Sequence, residues 1–252
     1  MRITGASGLI GGLVLKHLGH KYEFSAVNRR AVEGIACLQA DIADFDAILP
    51  AFDGMDMVLH LSAYTDDVNQ WEGTQQVNIH GTYNVYEAAR IRGVKRIVFA
   101  STGSTMLGYE HDSPYGELAD GDYHKVPSEW TMIDYKWPVR PDSLYGVSKV
   151  FGETLGRYYS HYHKMSVLNI RLGAVLDNDL PKLVRHYPGY LSQADCVQMI
   201  EKCFDAPDDL RFDIFDAISN NRWKWRDTSH AQQVIGWSPE GSSDGLPIDS
   251  DS

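Results

Sequence analysis

Two side chains in the stretch SLYGVSKVFGETLGRYY can do acid–base chemistry together. Tyr145 and Lys149 stand four residues apart, which places them on one face of a helix. A phenol titrates near 10, so it acts as a base near neutrality only where a cation favours the phenolate, and Lys149 is placed to supply one. A third group belongs with them. The apolar run KRIVFAS leads into FASTG, which delivers Ser101 and Thr102 to a strand end. There Thr102 would hydrogen-bond a reacting oxygen while Tyr145 takes its proton and a nicotinamide accepts a hydride.

A second set of residues suits the cradle of such a cofactor. The chain opens MRITGASGLIGG, in which Gly5, Gly8 and Gly11 follow a short apolar stretch and precede Leu9, Ile10, Leu13, Val14 and Leu18 at helical spacing. This reads as a strand, a glycine turn and a helix. Glycine permits positive φ and close backbone approach, and the free N–H groups that open the helix receive a pyrophosphate. A glycine triplet taken alone fits a tight turn packed on a helix equally well. Only Arg2 to Thr4 separate Met1 from Gly5, which is short for a central strand and would weaken the cofactor seat.

These residues need a scaffold that brings strand ends and a helix N-terminus together. The pattern predicts strands over 22–28, 35–40, 56–62, 95–101 and 166–171, with helices over 44–52, 77–91 and 144–163. Buried strands alternating with helices define an α/β fold with a doubly wound parallel sheet of the Rossmann type, whose ligands sit at the carboxyl ends of the strands. Beyond Arg171 a helix over 194–204 and a strand over 211–217 are predicted, followed by a frayed tail after Ser238. The expected organisation is a dinucleotide-binding domain over 1–173 carrying the catalytic residues, and a small substrate-binding region over 174–252. Residues 108–143, rich in glycine, proline, aromatic and acidic residues, interrupt the alternation and read as a lid or binding loop.

Composition narrows the function classes. With 252 residues and 43% hydrophobic content the chain can bury a sizeable core. A net charge of −11 disfavours nucleic acid and anionic membranes as partners, while leaving room for a local basic pocket. No stretch approaches the roughly 18 apolar residues of a membrane span and no signal peptide precedes the glycine motif, so a cytoplasmic protein is expected. Cys37, Cys196 and Cys203 lack metal-ligand spacing and read as reduced, packed thiols; His161 and His163 lack a third ligand, so no metal is expected. A homo-oligomer is compatible with all of this.

The glycine motif, HLSAY after the fourth strand, VNIHGTYNVYEAA, FASTG and YGVSK occur in that order across residues 3–173. Together they resemble the extended short-chain dehydrogenase/reductase superfamily, which includes sugar epimerases and dehydratases. The resemblance implies Gly5, Gly8 and Gly11, with Leu9 and Ile10, at the pyrophosphate, and Asp41 and Ile42 beside the adenine. It further implies Leu61, Ser62 and Ala63 along the cofactor, and Thr102, Tyr145 and Lys149 as the catalytic set, with Lys149 also on the nicotinamide ribose. Asn78 is either a cofactor contact or a structural hydrogen-bonder. Where an NAD-binding chain usually closes its second strand with an acidic residue, this one has VNRR. Asn28, Arg29 and Arg30 remove a carboxylate and add two cations, which favours NADP over NAD unless the arginines are solvated helix-entry charges.

The segments RLGAV, RHYPGYLSQAD, SNNRWKW and VIGW are similar to uronate dehydrogenases and to related archaeal sugar-phosphate dehydrogenases, which oxidise the anomeric carbon of a free sugar. That pattern binds the substrate carboxylate with an arginine seven residues before the serine of YLS, here Arg185. It departs at two substrate positions beside Ser101: Gly103 stands where asparagine follows the catalytic hydroxyl, and Ala174 where serine is usual, so two substrate hydrogen bonds are missing. Trp130, Tyr135 and Trp137 in the long insertion are suited to stacking on sugar faces. About 80 residues follow Arg171, too few to enclose a nucleoside diphosphate sugar, so a small unactivated sugar fits better. The leading expectation is an NAD(P)-dependent dehydrogenase that oxidises the C1 hemiacetal of a uronic acid or related sugar to a lactone. The alternatives are an epimerase or dehydratase that retains its cofactor, and a catalytically silent dinucleotide-binding regulator, which would have no use for the Tyr145–Lys149 pair.

Overall fold

The computed structural model describes residues 1–249. Seven strands form one parallel sheet: β1 (Arg2–Thr4), β2 (Ser25–Asn28), β3 (Ala36–Gln39), β4 (Met57–His60), β5 (Arg96–Thr102), β6 (Ser166–Leu172) and β7 (Phe212–Ala217). Their spatial order is β3-β2-β1-β4-β5-β6-β7, the doubly wound arrangement, with the order reversing at β1. β1 needs only three residues because it is paired on both sides, Arg2–Thr4 against Ser25–Val27 and against Val58–His60. Ile3 and Thr4 are fully buried there.

The helices are α1 (Leu9–Leu18), α2 (Phe45–Ile48), α3 (Trp71–Gly73), α4 (Thr82–Ile91), α5 (Tyr115–Asp120), α6 (Leu144–His163), α7 (His186–Gly189), α8 (Gln193–Phe204) and α9 (Ser229–Ile235). A π-helical stretch, Thr74–Gly81, joins α3 to α4, so the helix expected from residue 77 begins at Trp71. None of the helices is long and apolar enough, among the described residues, to cross a membrane. Strand periodicity splits the core in two. Val98, Ala100, Leu168 and Ile170 face one side with Val14 of α1 and Met199 and Ile200 of α8, while Ile97, Phe99 and Val167 face the other with Val85 of α4 and Tyr159 of α6.

The region over 174–252 packs on the sheet, because β7 pairs with β6 from Val167 to Leu172, and Phe204, Phe215 and Trp237 share a cluster with Ile3 and Val14. Two expectations change. The 108–143 segment is clamped rather than free. Tyr109, Tyr115, Leu118 and Ile133 form a small core with Trp225, and the Ile133 N–H donates to the Trp225 carbonyl at 2.8 Å. Its aromatic residues stack on the protein: Tyr135 on His230 at 4.0 Å, Trp130 on Trp223 at 6.0 Å and Trp137 edge-on to Tyr109 at 5.6 Å. The chain after Ser238 is also held, since the Asp195 carboxylate accepts from the Glu240 and Gly241 N–H groups at 2.8 and 3.0 Å.

α6 lies unusually close to β5. The Ser143 hydroxyl caps its start by accepting from the Gly146 N–H at 3.1 Å. Two turns on, a Cβ at Gly152 would fall 2.3 Å from the Phe99 ring, which is fully buried and packed edge-on to Tyr86. Only glycine permits this approach. Gly152→Ala overpacks an immobile ring and should cost about 1–3 kcal/mol in urea denaturation; unchanged stability would mean that the helix can lift off the sheet freely.

Candidate active site

A cleft of about 550 Å³ opens at the carboxyl edge of the sheet, over the point where the strand order reverses. Gly5, Gly8, Leu9, Ile10 and Gly11 line one wall, Asn28, Arg29, Arg30, Asp41 and Ile42 one end, and Leu61, Ser62 and Ala63 the floor. Ser101, Thr102, Tyr145 and Lys149 line the opposite end. Ser7, Tyr64, Thr65, Val77, Leu172, Gly173 and Val175 line it too and were not singled out from sequence. The last three follow directly from the end of β6, a position that the strand-end rule could have flagged.

The glycine turn is shaped by contacts as well as by φ. Gly5 has φ +75°, and a Cβ there would lie 2.7 Å from the Ser62 backbone nitrogen, so β1 and β4 meet across it. A Cβ at Gly11 would lie 2.5 Å from the Ala6 carbonyl oxygen, which holds α1 against the turn. Gly8, the N-cap of α1, carries no side chain to satisfy the helix's first N–H groups, and no acidic residue occupies the first turn. These free donors and the positive end of the helix dipole fit a diphosphate.

At the far end of this wall Asn28 is spent on shaping the turn: its Nδ2 donates to the Arg30 carbonyl at 2.7 Å and to the Ser7 hydroxyl at 3.1 Å. Arg29 and Arg30 are exposed at the cleft rim, and neither has an ion-pair partner among the described residues. Asn78 lies behind the cleft rather than in it. Its Oδ1 accepts from the Tyr64 N–H at 2.6 Å and its Nδ2 donates to the Tyr64 carbonyl at 3.1 Å, the structural one of its two expected roles.

Tyr145 and Lys149 project from the first turns of α6 toward the end of β5. Lys149 is 3% exposed; its Nζ donates to the Ala100 carbonyl at 2.7 Å and sits 4.9 Å from the centre of the Phe99 ring and 5.6 Å from that of Tyr145. Burial pushes its ammonium down to about 7. Burial also pushes the Tyr145 phenol up to about 12, against the pull of its hydrogen bond with the Thr102 hydroxyl. The phenol is therefore raised and not depressed as expected from Lys149, because desolvation acts on both groups and drives each toward its neutral form.

Three expected substrate residues lie off the cleft. Ala174 spends its N–H on the Gly189 carbonyl at 2.8 Å, although its neighbours Gly173 and Val175 line the cleft. Gly103 is buried against the Arg226 guanidinium. Arg185 is 46% exposed and pairs with Glu110 of the insertion at 2.7 Å. Glu110 sits in the 108–143 segment, whose packing could not be read from spacing.

A doubly wound sheet with an uncapped glycine turn at its first crossover defines a dinucleotide-binding α/β protein. The chain belongs to the NAD dependent epimerase/dehydratase family, whose pattern matches residues 1–177. It is 34% identical over 255 residues to the L-arabinose 1-dehydrogenase (NAD(P)(+)) of Haloferax volcanii, covering 96% of each chain. It is 32% identical to the NAD-dependent glucose-6-phosphate dehydrogenase of the same organism, over 98% of this chain and 97% of that one. Among solved structures it resembles uronate dehydrogenase from Agrobacterium tumefaciens, with a TM-score of 0.80 and 30% identity over 100% of this chain and 91% of that one.

The depressed Lys149 carries a consequence for stability. In the unfolded chain the lysine titrates at 10.5, and in the fold at about 7. Between these values the unfolded state holds a proton that the folded state has shed, so this group's contribution to stability rises with pH. Lys149→Met removes that dependence. The stability of the variant relative to the parent, measured by urea denaturation, should fall by on the order of 2–4 kcal/mol between about pH 7 and pH 10. A pH-independent difference would show that the buried amine keeps its proton throughout.

Proposed function

We propose that the protein is an NAD(P)-dependent dehydrogenase that oxidises the C1 hydroxyl of a small, unactivated sugar or sugar acid to a lactone. The observation that carries this reading is the convergence of Thr102, Tyr145 and Lys149 at one end of a cleft whose other end has the glycine turn and an arginine rim. The relatives described above, dehydrogenases named for arabinose, glucose 6-phosphate and uronate, support the substrate class.

The roles follow from the chemistry of each group. Thr102 orients the reacting oxygen by a hydrogen bond, and Tyr145 as phenolate takes the hydroxyl proton as the carbon–oxygen double bond forms. Lys149 in its ammonium form stabilises that phenolate. The Ala100 carbonyl fixes the amine's position throughout. When bound, the nicotinamide supplies the hydride acceptor. Tyr145→Phe should lower kcat/KM by roughly 10²- to 10⁴-fold while leaving the cofactor Kd nearly unchanged. The assay is net production of reduced nicotinamide from a panel of aldoses, uronates and sugar phosphates. Net production also distinguishes a dehydrogenase from an epimerase, which returns its hydride, and the absence of turnover on every sugar would overturn the reading.

The finer cofactor preference rests on Arg29 and Arg30. Their guanidiniums at the rim, without an ion-pair partner among the described residues, and Asn28 in place of a carboxylate favour a 2′-phosphate and hence NADP. A charge-assisted hydrogen bond contributes about 1.5–3 kcal/mol, so replacing both arginines by alanine should lower the NADP-to-NAD affinity ratio at least roughly 10-fold. Parallel titrations giving an unchanged ratio would leave both as solvated surface charges.

A further inference from the structure

Buried charge collects beside the catalytic end of the cleft in a pattern that the roles above do not use. Ser101, Arg171 and Asp216 are register partners across β5, β6 and β7, so their side chains share one face at the carboxyl edge of the sheet. Glu153 of α6 accepts from the Ser101 hydroxyl at 2.6 Å and from Arg171 Nε and Nη2 at 2.9 and 2.8 Å. Arg171 Nη1 reaches the Tyr135 carbonyl at 3.4 Å, which completes that guanidinium. Arg226, in the segment before α9, is 3% exposed and differs. Its Nη1 donates to Asp216 Oδ1 at 2.8 Å and to the Arg171 carbonyl at 3.3 Å, but its Nε and Nη2 donate to no group among the described residues. Asp216 Oδ2 likewise has no partner among them.

The place of that half-used guanidinium is set by Gly103. A Cβ at this position would lie 3.0 Å from both Nη1 and Nη2 of Arg226, so the arginine fills the space that a side chain at 103 would take. Gly103 directly follows Thr102, and Arg171, whose carbonyl receives Nη1, directly precedes Leu172; Thr102 and Leu172 both line the cleft. In the pattern that the sequence resembles, an asparagine at position 103 supplies a substrate hydrogen bond. Here the donor comes from another part of the chain.

We propose that Arg226 contacts the substrate and determines specificity, its free guanidinium nitrogen donating to the hydroxyl on the sugar carbon next to the one that is oxidised. This rests on the dehydrogenase reading above. The neighbouring hydroxyl is the group in question because Thr102 holds the reacting oxygen, and the residue after Thr102 is the one against which the guanidinium lies. The guanidinium nitrogens that donate to no protein group are available to a sugar hydroxyl, and such a charge-assisted hydrogen bond would favour binding.

The test compares an aldose oxidised at C1 with its 2-deoxy counterpart in the parent, in Gly103→Ala and in Arg226→Gln. The added methyl of Gly103→Ala meets only the far end of a flexible side chain, so this variant keeps the fold even if loss of the Asp216 pair unfolds Arg226→Gln. The parent should prefer the aldose over the 2-deoxy sugar by roughly 10- to 150-fold in kcat/KM. Gly103→Ala should reduce that preference to within about 3-fold, with the KM for the cofactor unchanged. A merely structural role would lower both sugars equally, so a preference that survives Gly103→Ala overturns the assignment of Arg226 alone. A parent protein that oxidises no sugar overturns the dehydrogenase reading, and this inference with it.

Discussion

The contact between the fully buried Phe99 ring on β5 and the bare backbone of Gly152 on α6 holds the catalytic end together. With any larger residue at 152 the helix would stand away from the sheet. At the distance glycine allows, Lys149 reaches the Ala100 carbonyl over the Phe99 ring and Tyr145 reaches the Thr102 hydroxyl. The price is desolvation: an amine pushed down to about 7 and a phenol pushed up to about 12. Desolvation favours the uncharged form of both groups.

The opposite end of the cleft obeys a different constraint. Gly5 brings β1 against β4, Gly11 brings α1 against the turn, and Gly8 leaves the helix N-terminus uncapped. Backbone N–H groups and a helix dipole attract a diphosphate without a single charged side chain. The charged residues lining this end are Arg29, Arg30 and Asp41. One end of the site thus binds by backbone and the other reacts by side chain, joined by the seven-stranded sheet.

Behind the reactive end, alternating buried charges run from Glu153 through Arg171 and Asp216 to Arg226. Paired ions in a core are costly to desolvate, and this row is tolerated because Glu153 is satisfied by both Arg171 and Ser101. It also ties the last third of the chain to the catalytic strands. β7 and the segment before α9 supply Asp216 and Arg226, which is why the region after residue 173 is an extension of the same sheet and not a separate lobe.

Much of this molecule was legible in its sequence because the relevant signals are local. A glycine turn before a helix, short continuously apolar strand runs, and a tyrosine and lysine four apart on a helix are set by backbone geometry within a few residues. These placed Gly5, Gly8, Gly11, Thr102, Tyr145 and Lys149 around one cleft. What escaped were contacts between residues far apart in the chain. Glu110 meets Arg185 across 75 positions, and Trp223 and His230 take the ring faces that looked free on Trp130 and Tyr135. Arg226 comes to rest against Gly103 from more than 100 residues away. Composition and spacing specify which residues are able to pair, but the choice among partners, and the desolvation that sets the protonation of Tyr145 and Lys149, arise only once the packed chain has excluded water.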